Sequence, residues 1–117
     1  MYQQDAPLTF NTTTFIEKGT LVTLDKDTGV VTIAVDEVVH GVTVGNSSNP
    51  DGAGVVSVAS LKDIGKCFFV RLGASVAKGG GIISDANGKG IPNGVETAVA
   101  YAKQSGVKGD LIGVYNF

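Results

Sequence analysis

The segment Asp85-Ala86-Asn87-Gly88-Lys89-Gly90-Ile91-Pro92-Asn93-Gly94-Val95-Glu96 carries the spacing of a calcium loop. Asp stands first, Asn third, Gly sixth and Glu twelfth, as in a helix–loop–helix calcium site. Lys89 then puts a positive charge where a ligand oxygen belongs, and Gly79-Gly80-Gly81 cannot form the incoming helix. A hairpin turn explains the same residues better, and no metal site is assigned. Asp25, Asp27, Asp36 and Glu37 are close in sequence, and paired carboxylates can hydrolyse glycosides. Turn residues are often Asp for local hydrogen bonding, which accounts for this group equally well. His40 is the one histidine, and no Ser-His-Asp constellation surrounds it. Cys67 adjoins Phe68 and Phe69 and reads as a small core residue. Gly65-Lys66-Cys67 and Gly88-Lys89-Gly90 lack the hydroxyl residue that a phosphate loop places after its Lys. No catalytic residue and no cofactor is predicted.

The elements that would position these residues are short strands. The chain has 117 residues, 43% hydrophobic and 17% charged, enough for one domain with its own core. Its 17 glycines are about twice the usual share and follow no collagen period. Seventeen valines and ten threonines favour strands. A net charge of −2 argues against an electrostatic nucleic-acid binder. No apolar run approaches the roughly 18 residues of a membrane span, and the polar start is not a signal peptide. One cysteine excludes a disulfide framework within the chain.

Strands are expected at 20–24, 30–35, 38–44, 55–59, 67–72, 81–84, 95–102 and 111–116, with helix as the competing reading of 95–102. Capping-box spacing at Ser60-Leu61-Lys62-Asp63 allows one helical turn. Asn87-Gly88 suits a type I′ hairpin turn with two positive φ angles. Val31, Ile33, Val56, Val58, Phe69 and Val99 are expected in the core, and Lys18, Lys78 and Lys89 in water. The whole reads as all-β: a small Gly-rich β-barrel or sandwich with an extended N-terminal arm and at most one or two short helices. Residues 1–14 form the arm, since β-branched Thr9 to Thr14 resist helix, and residues 15–117 form a single β domain.

A weak repeat runs through the chain. Glu17-Lys18-Gly19-Thr20-Leu21-Val22-Thr23-Leu24-Asp25 aligns with Ala77-Lys78-Gly79-Gly80-Gly81-Ile82-Ile83-Ser84-Asp85, 60 residues later. A third Lys-Gly, Lys108-Gly109, precedes the last strand. Each is an entry turn in which Gly permits the bend.

This arrangement resembles the head decoration, or capsid cement, proteins of tailed bacteriophages. The resemblance lies in Lys18-Gly19 through Asp25, then Gly41-Val42-Thr43-Val44, repeated as Val76-Ala77-Lys78-Gly79 through Asp85 and Gly109-Asp110-Leu111-Ile112-Gly113-Val114. Gly54 to Val58 and Phe69 to Ala74 match the central strands of that family, and the similarity covers roughly residues 8–117. Gly45–Gly52 and Ser60–Lys66 depart from it. The resemblance implies a structural virion protein, made in the bacterial cytoplasm and carried on the outer surface of the expanded head. It implies a homotrimer that bridges capsomers, with the major capsid protein as partner and neither nucleic acid nor membrane involved. The arm would add a strand to that partner through Leu8, Thr9, Phe10, Asn11, Thr12, Thr13, Thr14 and Phe15. Two other classes compete. A glycan- or peptide-binding β-barrel would show an exposed aromatic platform drawn from Tyr2, Tyr101 and Tyr115, and an enzyme would show a pocket holding a perturbed titratable group.

Overall fold

The computed structural model describes residues 8–35, 38–61, 67–93 and 97–115. Ten strands and no helix occur among the described residues. They are β1 (Leu8–Thr12), β2 (Leu21–Asp25), β3 (Val30–Ile33), β4 (Gly41–Thr43), β5 (Gly54–Ser60), β6 (Cys67–Arg71), β7 (Gly81–Ser84), β8 (Gly90–Pro92), β9 (Ala100–Ala102) and β10 (Leu111–Tyr115). Of the helical turn allowed at Ser60–Asp63, Ser60 ends β5, and Lys62 and Asp63 lie outside the described residues.

The first five strands close a barrel in the order β1-β3-β2-β4-β5. β1 is the closing strand: it pairs antiparallel with β5 through five positions and parallel with β3. The last five form a sheet in the order β6-β10-β9-β7-β8, whose ends meet at a parallel bridge between Leu72 and Gly90. These orders are the same. β6 stands for β1, β7 for β2, β8 for β3, β9 for β4 and β10 for β5.

The 60-residue repeat is therefore a duplicated fold, and its backbone bonds repeat as well. Gly19 N–H donates to the Thr43 carbonyl and Gly79 N–H to that of Ala102 (2.9 and 2.8 Å). Ala34 N–H donates to Leu21 and Asn93 N–H to Gly81, at 2.9 and 3.1 Å. Lys18 N–H finds the Asn46 side chain, and Lys78 N–H that of Ser105. Both β-hairpins turn on the same device. Asp25 and Asp85 each accept the amide two residues on with a carboxylate oxygen, and Gly29 (φ 73°) and Gly88 (φ 75°) end the turns in the left-handed region. This corrects the type I′ expectation: the Asp85 side chain builds the turn, and Gly88 supplies the left-handed residue.

Two cores follow from the duplication. Ile16, Val22, Val31, Val56 and Val58 fill the first barrel, with Phe10 and Leu24 packed against them. Phe68, Val70, Leu72, Ile82, Ile112 and Val114 anchor the second. This second core continues across the seam to Leu21, Ala34, Val42 and Leu61 of the first half. Adjacent Leu21 and Val22 are both buried because one faces the seam and the other the barrel interior.

The core expectations hold for Val31, Val56 and Val58, while Val99 is half-buried. Two fail. Phe69 is 52% exposed because alternation along β6 turns Phe68 and Val70 inward and Cys67 and Phe69 outward. Cys67 is accordingly exposed, not a core residue. Ile33 ends β3 and stays 36% exposed. Lys18 and Lys78 are exposed as expected, but Lys89 is half-buried and bonded to Glu17. Among the described residues of the run 95–102, Ala100–Ala102 form the strand, and there the two alanines rather than Tyr101 face the core. β8 was not expected; Pro92 is tolerated there because the strand lies at the end of its sheet.

Candidate functional site

Leu8 to Phe15 do not project as a separate arm. Leu8–Thr12 are β1, paired with β5 at all five positions and with β3 at Asn11 and Thr12. Thr12 is buried, and its hydroxyl accepts the Gly54 amide (3.2 Å); Phe10 packs on the barrel core. Leu8, Thr9 and Asn11 present side chains to solvent, as do Thr13, Thr14 and Phe15 beyond the strand. Of the expected arm, residues 8–12 form β1, and residues 1–7 lie outside the described residues.

The residues that could have done chemistry serve local structure. Asp85 accepts the amides of Asn87 and Lys89 with one carboxylate oxygen, at 2.8 and 2.9 Å. His40 is exposed and accepts the Leu24 amide at Nδ1 (2.8 Å). Among the described residues no cluster of His, Cys, Asp and Glu has the arrangement of a metal site. Gly94 to Glu96, with the last carboxylate of the calcium spacing, and Asp36 and Glu37 of the acidic group lie outside the described residues.

What the structure does bring together is a seam between the halves. Leu21 N–H donates to the Gly88 carbonyl (2.8 Å), and Arg71 N–H to that of Gly19 (2.9 Å). Ser84 Oγ donates to the Ala34 carbonyl (2.8 Å). Glu17 bonds Lys89 and lies 3.8 Å from Arg71 Nε, while Arg71 Nη1 holds the Gly109 carbonyl. The Lys89 hydrogen bond holds the Glu17 carboxyl below the ordinary glutamate range, against an opposing effect of partial burial; the charges of Lys89 and Arg71 lower it further. The seam also explains why only the first half closes fully. Gly29 accepts the Asn11 amide across β1 and β3, whereas the equivalent Gly88 and Arg71 spend their groups on the first half.

Beside the seam lies a shallow depression of about 180 Å³, lined by Lys18, Val42, Thr43, Val44, Cys67, Phe68 and Phe69. Val44 and Phe69 leave 40% and 52% of their surface exposed. On the outer side of the β9–β10 ladder, Tyr101 and Tyr115 are cross-strand partners with ring centroids 6.4 Å apart. Both rings are half-buried. Tyr101 and Tyr115 are two of the aromatic residues named from sequence for a glycan- or peptide-binding platform, and Tyr2 lies outside the described residues; the depression at Phe69 was not singled out, although alternation along β6 would have exposed that ring.

No family model matches the chain, and no curated protein matches it. A solved structure does match. The N base of the head fiber protein of bacteriophage phi29 superposes with a TM-score of 0.72, covering 92% of this chain and 91% of that one at 16% identity. The two share a fold.

Proposed function

We propose that this protein is a structural component of a tailed-phage virion, carried on the outer surface of the head. The observation that carries the reading is the fold shared with a phage head fiber base over nearly the whole chain. The Lys-Gly, strand, Asp-turn pattern and its second copy support it independently, because the structure turns that pattern into a duplicated domain. On this reading the chain is not an enzyme: its Asp, His and Glu side chains fasten turns and the seam.

The partner is the major capsid protein, and the working unit is a homotrimer that bridges neighbouring capsomers. Three copies on one trimer bind with high effective concentration. A protein that binds only the expanded lattice stabilises it by mass action. Contact comes from the stretch Leu8 to Phe15, where Leu8, Thr9, Asn11 and Thr13–Phe15 present exposed side chains.

Co-sedimentation with heads of the phage whose genome carries this chain tests the reading. Saturable binding to expanded heads, absent with unexpanded ones, is expected. Failure to bind either form overturns it, and a glycan or peptide screen then takes its place.

A further inference from the structure

The hairpin turn at the seam carries a chemically labile pair. Two asparagines precede glycine, Asn87 and Asn93. A glycine in that place leaves its backbone nitrogen open to the side-chain amide carbon of the asparagine, since no Cβ shields it. The Asn87 side chain is exposed and has no hydrogen-bond partner among the described residues. Asn93 differs: it is half-buried, and a Cβ on Gly81 would stand 3.0 Å from its Oδ1. Gly94 lies outside the described residues.

The turn and the seam together hold the attacking atom, Gly88 N. Its N–H donates to the Asp85 carbonyl at 3.2 Å, the longest bond of the turn; Asp85 Oδ1 accepts the Asn87 and Lys89 amides at 2.8 and 2.9 Å. Across the seam, the Gly88 carbonyl accepts Leu21 N–H (2.8 Å), and neighbouring Lys89 bonds Glu17. A Cβ on Gly88 would stand 2.5 Å from Thr20 Cγ2 and 2.8 Å from the Leu21 carbonyl oxygen, so Gly88 is pressed against the first half without slack. The matching turn has neither property: Thr28 precedes Gly29, and a Cβ there would meet nothing within 4 Å. Attack on Asn87 removes the proton from Gly88 N and ties the Asn87–Gly88 backbone into a ring. The bond to Asp85 is then lost, and the Gly88 carbonyl swings with it. A closed seam prevents this movement, and a locally opened one permits it.

We propose that Asn87 is a deamidation site gated by the seam: it reacts when the seam opens, and its product keeps the seam from closing again. Gly88 N attacks Asn87 Cγ. The new N–Cγ bond replaces the Cγ–Nδ2 bond, the proton of Gly88 N goes to Nδ2, and ammonia departs. Water then opens the succinimide at either carbonyl, giving aspartate or isoaspartate with nothing oxidised or reduced. In isoaspartate the chain runs through the side chain and is one carbon longer between positions 87 and 88. Thr20 and Leu21 leave no room for that carbon. Buried Leu21 N–H loses its acceptor, which is costly for a group out of reach of water. Aspartate at the same position sets a second negative charge beside the Asp85 carboxylate.

The test is peptide mapping of the full chain after incubation at neutral pH, with the three forms of residue 87 separated by chromatography. Conversion is expected to be about tenfold or more slower in the native chain than in the same chain in urea, since only the open fraction reacts. Glu17→Gln, which removes a partly exposed ion pair from the seam, is expected to speed native conversion about two- to fivefold. Val56→Ala, which empties part of the first barrel interior, is expected to leave the rate unchanged. Circular dichroism establishes that both variants are folded. The purified isoaspartate form is expected to unfold at lower urea than the unconverted chain. Native conversion as fast as in urea overturns the gate, as does equal acceleration by Val56→Ala, which assigns the reaction to unfolding of the whole chain. Conversion at Asn93 in place of Asn87, or none at Asn87 in Glu17→Gln while the chain in urea converts fully, overturns the site. An isoaspartate form with the urea midpoint of the unconverted chain overturns the effect on the seam.

Discussion

Removing residues 1–14 should unfold the first barrel rather than release a tail. The deletion takes away β1 and with it five paired positions with β5 and the parallel contact with β3. At about 1 kcal/mol net per hydrogen bond, that ladder is worth roughly 5 kcal/mol. Half-buried Phe10 adds about 1 kcal/mol by area, taking half the value of a fully buried ring. The loss of roughly 6 kcal/mol compares with a whole-domain stability of about 6–18 kcal/mol for a chain of this size. It also opens the core at Val31, Val56 and Val58 to water, since β1 stands between their two strands. At about 3–6 °C per kcal/mol, the melting temperature should drop by some 20 °C or more. Thermal denaturation followed by circular dichroism measures this, with the full-length chain as the reference. If the truncated chain melts cooperatively within about 5 °C of that reference, the barrel does not depend on β1 and the reasoning fails.

Four further outcomes follow from named contacts. Phe68→Ala should cost about 3–5 kcal/mol, while Phe69→Ala should cost under about 1 kcal/mol, because only the first ring is buried; urea midpoints of the two variants decide it. Gly88→Ala should cost about 2–4 kcal/mol, combining left-handed strain with a clash against the Leu21 carbonyl, and Gly29→Ala only about 1–2 kcal/mol; urea midpoints of the two variants decide it. Glu17→Gln should lower stability at neutral pH by under about 1 kcal/mol, an effect reduced by salt, because the carboxylate is partly exposed. Since folding depresses the Glu17 pKa, its contribution is complete above the ordinary glutamate value of about 4.3 and is lost as pH falls below it; urea midpoints from pH 7 to 3 should converge for wild type and variant.

Much of the fold was legible in the sequence because alternating valines and turn glycines report locally on strand and turn. β7 falls at the expected residues, and β5, β6 and β10 lie within one residue of expectation. The misplaced parts are those decided by distant partners. Thr9 to Thr12 read as extended, which is correct, but nothing local says whether an extended segment pairs with its own barrel or with another protein. Which of Phe68 and Phe69 faces inward depends on strand phase, and Cys67 had to follow the same phase. The alanines of β9 blurred a strand whose small side chains are wanted because both are buried in the core. As for the candidate surfaces, the glycines of the repeat were visible at once, but their unequal surroundings became visible only when the seam showed Gly19 crowded and Gly79 open.

That inequality explains how two copies of one fold in a single chain can diverge without losing their architecture. Residues that set backbone geometry are retained in both halves: Gly19 and Gly79 at the entry turns, Asp25 and Asp85 at the hairpins, Gly29 and Gly88 in the left-handed position. Residues that face the seam are not retained. Glu17, Lys89 and Arg71 become Ala77, Val30 and Asn11, and Leu21 and Val42 become Gly81 and Tyr101. Backbone geometry must satisfy each half alone, whereas a contact residue must satisfy only the surface across from it. An internal seam forms at every folding event, whatever the protein concentration, so it tolerates an ion pair that adds little energy but fixes register.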